Sequence, residues 1–215
     1  LARCTLEPWE LANVFMELFQ ARRVEGLFLS SGVNCSPDKT METMLDSVRL
    51  LRYRHNFRGF IHLKVIPGCC EESIRQAVNL ATRVSINIEA PNAQRMSRLS
   101  KKKDFNQGII ATIKKINEFR QELNRNCSQT TQFVVGAAGE SDLEIITATD
   151  RLYNGYEMER VYFSAYQPVI ETSKVQPGTQ LPLFDDIPLP TKGTNASFIR
   201  EHRLYQSDFL LRKYG

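Results

Sequence analysis

The fold is decided by the stretch Gly59-Phe-Ile-His-Leu-Lys-Val65, the helical segment Glu71–Ala81 and the run Arg83-Val-Ser-Ile-Asn-Ile-Glu89 that follows it. The two outer pieces are short apolar runs without clean polar alternation, as in strands of a parallel sheet that helices cover. Pro67-Gly68 ends the first run before the helical segment begins. A strand, a helix and a second strand in this order predict a right-handed βαβ unit.

Strands and helices keep alternating on both sides of this unit. Further strands are predicted at Val24–Ser30, Gln132–Gly136 and Arg160–Ala165. Helices are predicted at about Thr5–Gln20, from Pro37 past Leu51, over Phe105–Leu123, at Ser141–Tyr153 and at Ala196–Lys213. Because a helix comes first, with no strand before it, this order predicts an α/β fold, a partial parallel (β/α) barrel of the TIM type whose first strand is missing. One domain over residues 1–215 is expected, with a Pro-rich excursion at residues 168–198.

The composition is that of a globular protein, with 42% hydrophobic and 24% charged residues. No apolar run approaches the roughly 18 residues of a membrane helix, and the first residues carry no signal-peptide core, so we expect no membrane contact and a cytoplasmic location. The five cysteines have no Cys-x-x-Cys spacing and are odd in number, which argues against a disulfide framework and assigns no metal ligand.

Basic residues cluster in two places. Ser47–Gly68 holds five basic residues and no acid, and Arg95–Lys115 holds seven basic residues beside one acid. Such patches suit a polyanion, and solvated helix faces and loops explain them equally well. Within the second patch, Lys101, Lys102 and Lys103 are the candidate nucleic-acid contacts.

Ligands of parallel barrels bind at the carboxyl ends of the strands. Ser30, Ser31 and Gly32 follow the first predicted strand, where two hydroxyls can bond an amino or carboxylate group and a glycine lets a ligand approach the backbone. An ordinary turn explains the tripeptide as well. Lys64, at the end of the next strand, either holds an anion at the barrel mouth or is an exposed basic residue.

The strongest physical sign of a site is the third strand, Ser85-Ile-Asn87-Ile-Glu89. A side-chain period of two sends Ser85, Asn87 and Glu89 to one face, towards the barrel interior. Three inward polar side chains are unfavourable unless they bind a ligand or satisfy one another in an internal network. Ligand binding is the favoured interpretation, and an internal hydrogen-bond network is the alternative.

The last two strand ends also carry ligand-like residues. Gly136 and Gly139 frame a turn where a flat ring could lie against the backbone, although the spacing is not that of a dinucleotide fingerprint. Tyr162, Ser164 and Tyr166 share one face of the last strand, where they stack on a ligand, hydrogen-bond it or pack the barrel floor.

The last helix begins with Arg200-Glu-His202-Arg203-Leu-Tyr205. Charges at a helix start can contact phosphate, and a capped surface helix explains them as well. Arg200 and Arg203 are therefore candidate nucleic-acid contacts. The histidines His55, His62 and His202 show no triad-like or ligand-like spacing, so no catalytic role is assigned to them.

Six strings of sequence follow one another in an order that is more specific than any one of them. They are Glu25–Val33, His62–Gly68, Ser85–Pro91, Val134–Asp142, Val161–Tyr166 and Arg200–Gln206. Together they resemble the DNA modification/repair family of radical S-adenosylmethionine (radical SAM) proteins. The resemblance covers most of the chain and is weakest from Ile170 to Phe198.

The resemblance implies a barrel of the radical SAM type, with S-adenosylmethionine and a [4Fe-4S] cluster as cofactors, and reductive cleavage of S-adenosylmethionine to a 5′-deoxyadenosyl radical. In that family the first strand end meets the methionine amino group, the third strand meets the ribose or carboxylate, and the fourth lies on the adenine side. Strand-end reasoning adds a lysine and a serine. The candidate cofactor-binding residues are Ser30, Ser31, Gly32, Lys64, Asn87, Glu89, Gly136 and Ser164.

The family's cluster is held by a Cys-x3-Cys-x2-Cys loop, which this sequence lacks and which Cys4 cannot replace. The resemblance therefore implies the middle of a longer protein, with the cluster ligands upstream and a helix-hairpin-helix beyond Gly215. The chain by itself is expected neither to hold the cluster nor to cleave S-adenosylmethionine. The implied partners are nucleic acid and an electron donor such as flavodoxin or ferredoxin.

Two other functions compete with a radical enzyme. A barrel enzyme acting on a phosphorylated small molecule predicts a Gly-rich phosphate turn near the last strands, where the sequence has only Gly136 and Gly139. A non-catalytic nucleic-acid-binding module agrees with the basic patches but not with the inward polar row of the third strand.

Overall fold

The structure is a computed structural model that describes residues 6–101, 104–167 and 195–214. Helices and strands alternate along it. In chain order they are α1 (Pro8–Gln20), β1 (Gly26–Leu29), α2 (Pro37–Arg49), β2 (Phe60–Lys64), α3 (Glu71–Leu80), β3 (Arg83–Ser85), α4 (Ala93–Leu99), α5 (Ala111–Glu122), β4 (Ser128–Val135), α6 (Asp142–Tyr156), β5 (Arg160–Ala165) and α7 (Asn195–Tyr214). A π-helical turn, Leu50–Arg54, continues α2, and another, Phe105–Ile110, precedes α5.

The strands form one parallel sheet in the order β1-β2-β3-β4-β5, as the sequence predicted. The register aligns Phe28 with His62, His62 with Arg83, and Arg83 with Ser128. Because the order is sequential, β1 and β5 are the two ends of the sheet. The α/β class and the sequential order are confirmed.

The chain divides into two compact units. The first comprises residues 1–86 and 111–130, and the second comprises residues 87–110 and 131–215. Most of the Pro-rich excursion, up to residue 194, lies outside the described residues, as does Thr5, at which the first helix is predicted to begin. The assignment of one domain to residues 1–215 stays a prediction.

In the first unit, one face of the sheet is apolar and turned towards a helix. Leu29, Leu63 and Val84 occupy aligned positions of β1, β2 and β3 and are at most 8% exposed. Gln129 of β4 is the next position in this row, and its Nε2 donates to the carbonyl of Ile113 in α5 at 3.2 Å. This face therefore packs under the helices and forms the core of the unit.

In the second unit, side chains cap the outer edge of β5. Alternate N–H groups of this strand donate to hydroxyl and carboxylate groups from α6 and α7. The bonds join Val161 to Tyr153 (3.0 Å), Phe163 to Tyr205 (3.1 Å) and Ala165 to Glu201 (2.7 Å). The edge of a sheet otherwise presents unpaired donors, so these contacts both satisfy the strand and fasten α7 to it.

The third strand differs from its predicted extent, Arg83–Glu89. It ends at Ser85, which aligns with Thr130, and pairing resumes only at Glu89, which bridges Phe133. From Ser85 to Glu89 the chain advances four residues, whereas β4 advances only three from Thr130 to Phe133. One extra residue therefore forms a bulge. At the bulge, the N–H of Ile88 donates to the Thr131 hydroxyl at 3.0 Å and not to a backbone carbonyl of β4.

The prediction of one uninterrupted period from Ser85 to Glu89 is therefore wrong. The predicted burial of the segment is nevertheless confirmed. Ile86 and Ile88 are 0% and 2% exposed, whereas Asn87 and Glu89 are half-buried.

We expect Leu63→Ala to lower the free energy of unfolding by about 2–5 kcal/mol, because it leaves a cavity under the helices where the side chain is 0% exposed. Leu143→Ala is the matched control, since this leucine on α6 is 74% exposed. Urea unfolding followed by circular dichroism measures both. Equal, small losses in the two variants would contradict the assignment of the buried sheet face.

Candidate functional site

A cavity of about 190 Å³ lies beside the carboxyl ends of β4 and β5 in the second unit. Its lining includes Glu89, Met96, Leu99, Val134, Ala137 and Tyr166. Most of these side chains are apolar, and one carboxylate and one phenol stand among them. The strand ends are where the sequence predicted a ligand, and ligand binding in this cavity stays a prediction.

Glu89 is held at the cavity by its backbone. Its φ of +63° lies in the left-handed region, which residues other than glycine adopt uncommonly. The N–H of Glu89 donates to Gln132 at 2.9 Å, and its carbonyl accepts from Val134 at 2.9 Å. Residues kept in such conformations by their surroundings concentrate at functional sites, so the bulge that places Glu89 is itself a pointer to function.

The turn between β4 and α6 is built around a buried carboxylate. Gly136 and Gly139 have φ values of +91° and +65°, which let the chain curl back on itself. Glu140, 5% exposed, accepts hydrogen bonds from the N–H groups of Gly136 and of Ala138, the latter at 2.9 Å. The Glu140 side chain thus stabilises the conformation of this turn and fixes the neighbouring Ala137 at the cavity wall.

Arg200 of α7 neutralises this carboxylate. Its Nη1 lies 3.5 Å from Glu140 Oε1, its Nη2 donates to the Glu140 carbonyl at 2.8 Å, and its Nε donates to Asp142 at 2.5 Å. A buried carboxylate needs such a partner, because an isolated charge is costly to desolvate.

A second ion pair fastens α4, which supplies two lining residues, to α6. Arg95 donates in two places to Glu144, from Nε at 3.0 Å and from Nη2 at 2.9 Å, and Asn92 donates to the same carboxylate at 3.2 Å. The hydrogen bonds from Arg95 have the largest effect among those that lower the pKa of Glu144 to about 2, and the bond from Asn92 has a smaller effect. Helix α4 was not predicted from the sequence, so Met96 and Leu99 were missed as cavity residues.

The predicted nucleic-acid contacts are only partly described. Arg203 is exposed and donates to Gln206 at 2.8 Å, and Lys101 is exposed, whereas Lys102 and Lys103 lie outside the described residues. Arg200 has the internal acidic partners given above. A nucleic-acid role for these residues stays a prediction.

The candidates of the first unit lie at its strand ends. Ser30, Ser31 and Gly32 are exposed, and the Ser31 hydroxyl donates to the Gly32 carbonyl at 2.8 Å. Lys64 is half-buried and aligned with Ser85 of β3. The first three residues therefore sit together after β1 in an open turn.

The open sheet face of the first unit contains a histidine that sequence reasoning set aside. His62 Nε2 lies 2.8 Å from the Ser85 hydroxyl, and its ring centroid is 4.7 Å from that of Phe28. Burial first, and then the charges of Arg83 and Lys64, lower the pKa of His62 to about 4. His62 is therefore neutral at pH 7. The period of two from Lys64 back to His62 was the signal that could have found it.

The structure brings Glu89 to a cavity with Tyr166 and next to the turn that begins at Gly136. Asn87 and Ser164 are half-buried but do not line that cavity. The joint site predicted for the candidates of both units stays a prediction.

The described residues offer neither a metal site nor a helix that could span a membrane. They contain no group of three or more His, Cys, Asp or Glu side chains that could hold a metal ion. Cys35, Cys69, Cys70 and Cys127 are free thiols, and burial raises the pKa of Cys69 to about 12. No described helix is both long and apolar enough to cross a membrane.

Among solved structures, the chain is similar to the FeFe-hydrogenase maturase HydG. The HydG of Carboxydothermus hydrogenoformans superposes with a TM-score of 0.66 at 14% identity, over 98% of this chain and 46% of that one. A second HydG structure gives 0.64 at 10% identity, over 97% and 44%. The chain thus spans less than half of these proteins. No protein-family model and no curated protein matches the sequence. The similarity shows the fold alone, an α/β fold with parallel strands and flanking helices.

We expect Arg200→Met to lower the free energy of unfolding by about 2 kcal/mol, because it leaves the carboxylate of Glu140 buried without a cation. The double variant Glu140→Gln/Arg200→Met should recover part of this loss, since a neutral amide oxygen still accepts from the turn. Arg203→Met, which removes an exposed arginine of the same helix, is the control. Additive losses in a double-mutant cycle would show that the two side chains do not interact.

Proposed function

We propose that this chain is the core of a radical SAM enzyme and that the cavity at Glu89 binds the nucleoside part of S-adenosylmethionine. The observation that carries the proposal is Glu89, held by its backbone in a left-handed conformation, in the lining of a mostly apolar cavity and in a fold similar to that of HydG.

The lining suits a nucleoside. The Glu89 carboxylate can accept hydrogen bonds from two ribose hydroxyls, which are donors of the right spacing for one carboxylate. Val134, Ala137 and Met96 offer flat apolar contact to a purine, and the Tyr166 ring stands at the same wall. Apolar walls with a few polar groups are the usual composition of a small-molecule site.

The described residues do not fit a [4Fe-4S] cluster, because no group of suitable ligands is present among them. We therefore assign the cluster to the Cys-x3-Cys-x2-Cys loop that the family resemblance implies upstream. What this chain contributes is binding and orientation of the nucleoside beside the carboxyl ends of the strands.

A phosphorylated small molecule is disfavoured at this site. The N–H groups of Gly136 and Ala138, which would have to bind a phosphate at the β4–α6 turn, already donate to Glu140. A buried carboxylate in this position also repels an incoming anion.

We further propose a nucleic-acid substrate, and an electron donor such as flavodoxin or ferredoxin, for the whole protein in the cytoplasm. Support for nucleic acid comes from the basic run Arg95–Lys115, in which Lys101 is exposed, and from the family resemblance of the sequence.

Glu89→Gln should weaken binding of S-adenosylhomocysteine, which needs no cluster chemistry, by roughly 10- to 150-fold, because a charged hydrogen bond is typically worth about 1.5–3 kcal/mol. Isothermal titration calorimetry measures the dissociation constant, and circular dichroism confirms folding. Glu17→Gln, an exposed glutamate of α1, is the matched control. Unchanged affinity in a folded Glu89 variant would remove this residue from the site.

Reversing the charges of Lys101, Lys102 and Lys103 to Glu should weaken single-stranded DNA binding alike for all sequences. It should also flatten the slope of log Kd against log salt by roughly 2, because each phosphate contact on a single strand contributes about 0.7. Fluorescence anisotropy at several salt concentrations measures both quantities. Lys39→Glu on α2 is the control for a single charge reversal outside the run, and an unchanged salt slope in the triple variant would leave these lysines as a solvated surface.

A further inference from the structure

A second cavity, of about 380 Å³, lies in the first unit at the amino ends of β2, β3 and β4. Three arginines contribute to its lining: Arg52 from the π-helical turn, Arg58 from the loop before β2, and Arg125 from the loop before β4. We call it the three-arginine cavity. It draws on two residues of the basic run Ser47–Gly68, which the proposed function does not use.

Arg52 forms the rigid back of the cavity. Its guanidinium donates to the carbonyls of Leu80 (2.8 Å), Phe57 (2.8 Å) and Gly59 (2.9 Å). Three backbone carbonyls thus fix the side chain, one at the end of α3 and two in the loop before β2. Because Nη2 also donates to the Thr82 hydroxyl at 3.3 Å, most donors of Arg52 are used within the protein, and its contribution to the cavity is a fixed positive charge.

The other two arginines are exposed, and each uses only one of its guanidinium nitrogens in a hydrogen bond within the described part of the chain. Arg58 donates from Nε to Asn56 at 2.9 Å, and Arg125 donates from Nη2 to the Asn79 carbonyl at 2.6 Å. Both acceptors are uncharged. Within the described part of the chain, none of the three cavity arginines has an acidic partner.

Three like charges around one cavity repel each other. Burial, and then the charges of Arg125 and Arg58, lower the pKa of Arg52 from its usual range. A bound anion would relieve this repulsion and replace the counter-ion that the protein itself does not supply.

The number and shape of the donors select the anion. Guanidinium groups bind the oxygens of phosphate in pairs, and the remaining donors of Arg58 and Arg125 together exceed what one carboxylate can accept. The cavity volume falls in the range of small-molecule sites, about 300–1,000 Å³, which leaves room beyond a single phosphate. Tyr53, 72% exposed at the rim, offers a ring for a base to stack on.

We propose that the three-arginine cavity binds phosphate groups, supplied either by a free polyphosphate or by a nucleic-acid backbone. The site shares no residue with the cavity at Glu89, because the lining of the first belongs to the first unit and that of the second to the second unit. Loss of one site leaves the other intact.

The test titrates the full chain with inorganic pyrophosphate by calorimetry and with fluorescent oligothymidylate by anisotropy. Arg58→Gln and Arg125→Gln should each weaken binding roughly 10-fold and the double variant roughly 100-fold, since each removes a charge-assisted bond. Arg52 is left unchanged because its contacts maintain the fold. Arg54→Gln, from the same basic run but outside this cavity, is the matched control and should stay within about twofold.

The two probes distinguish the source of the phosphate. A loss confined to pyrophosphate assigns the cavity to a free polyphosphate, and a loss confined to oligothymidylate assigns it to a nucleic-acid backbone. Losses of both support a site for phosphate from either source. The proposal is overturned if neither probe binds the unchanged chain, or if Arg54→Gln weakens binding as much as Arg58→Gln does, which would indicate diffuse charge.

Discussion

The buried carboxylate of Glu140 is the contact on which the second unit depends. It binds two N–H groups of the β4–α6 turn and is neutralised by Arg200 from α7. The same helix caps the edge of β5 through Glu201 and Tyr205. One short helical segment therefore determines both the turn beside the nucleoside cavity and the edge of the sheet, and this explains why its charges are dense without requiring an external ligand.

The nucleoside cavity owes its acidic group to an irregularity of the sheet. The N–H of Ile88 donates to the Thr131 hydroxyl and not to a backbone carbonyl of the neighbouring strand. The extra residue forms a bulge, and Glu89 adopts a left-handed backbone conformation. A regular strand would keep every second side chain in line. The bulge instead re-aims one carboxylate at the strand end, which is a common use of bulges near functional sites.

The two cavities, each within its own unit, differ in electrostatic character. At the amino ends, Arg52, Arg58 and Arg125 gather without an acidic partner among the described residues, which suits an anion. Beside the carboxyl ends of β4 and β5, Glu89 stands among apolar side chains, which suits a neutral, hydroxyl-bearing ligand. The two proposed sites would thus differ in ligand because they differ in charge.

The sequence by itself determined the α/β class, the five strands in their order and the burial of Ile86 and Ile88, since these follow from local periodicity and short-range connection rules. It also indicated Glu89 as a candidate cofactor-binding residue. Only the tertiary structure decided the bulge, helix α4 and the gathering of the three arginines. Each of these depends on contacts between residues remote in sequence, such as Ile88 with Thr131 or Arg95 with Glu144. A periodic pattern carries no record of such partners, because it reports only which face of its own element a residue occupies.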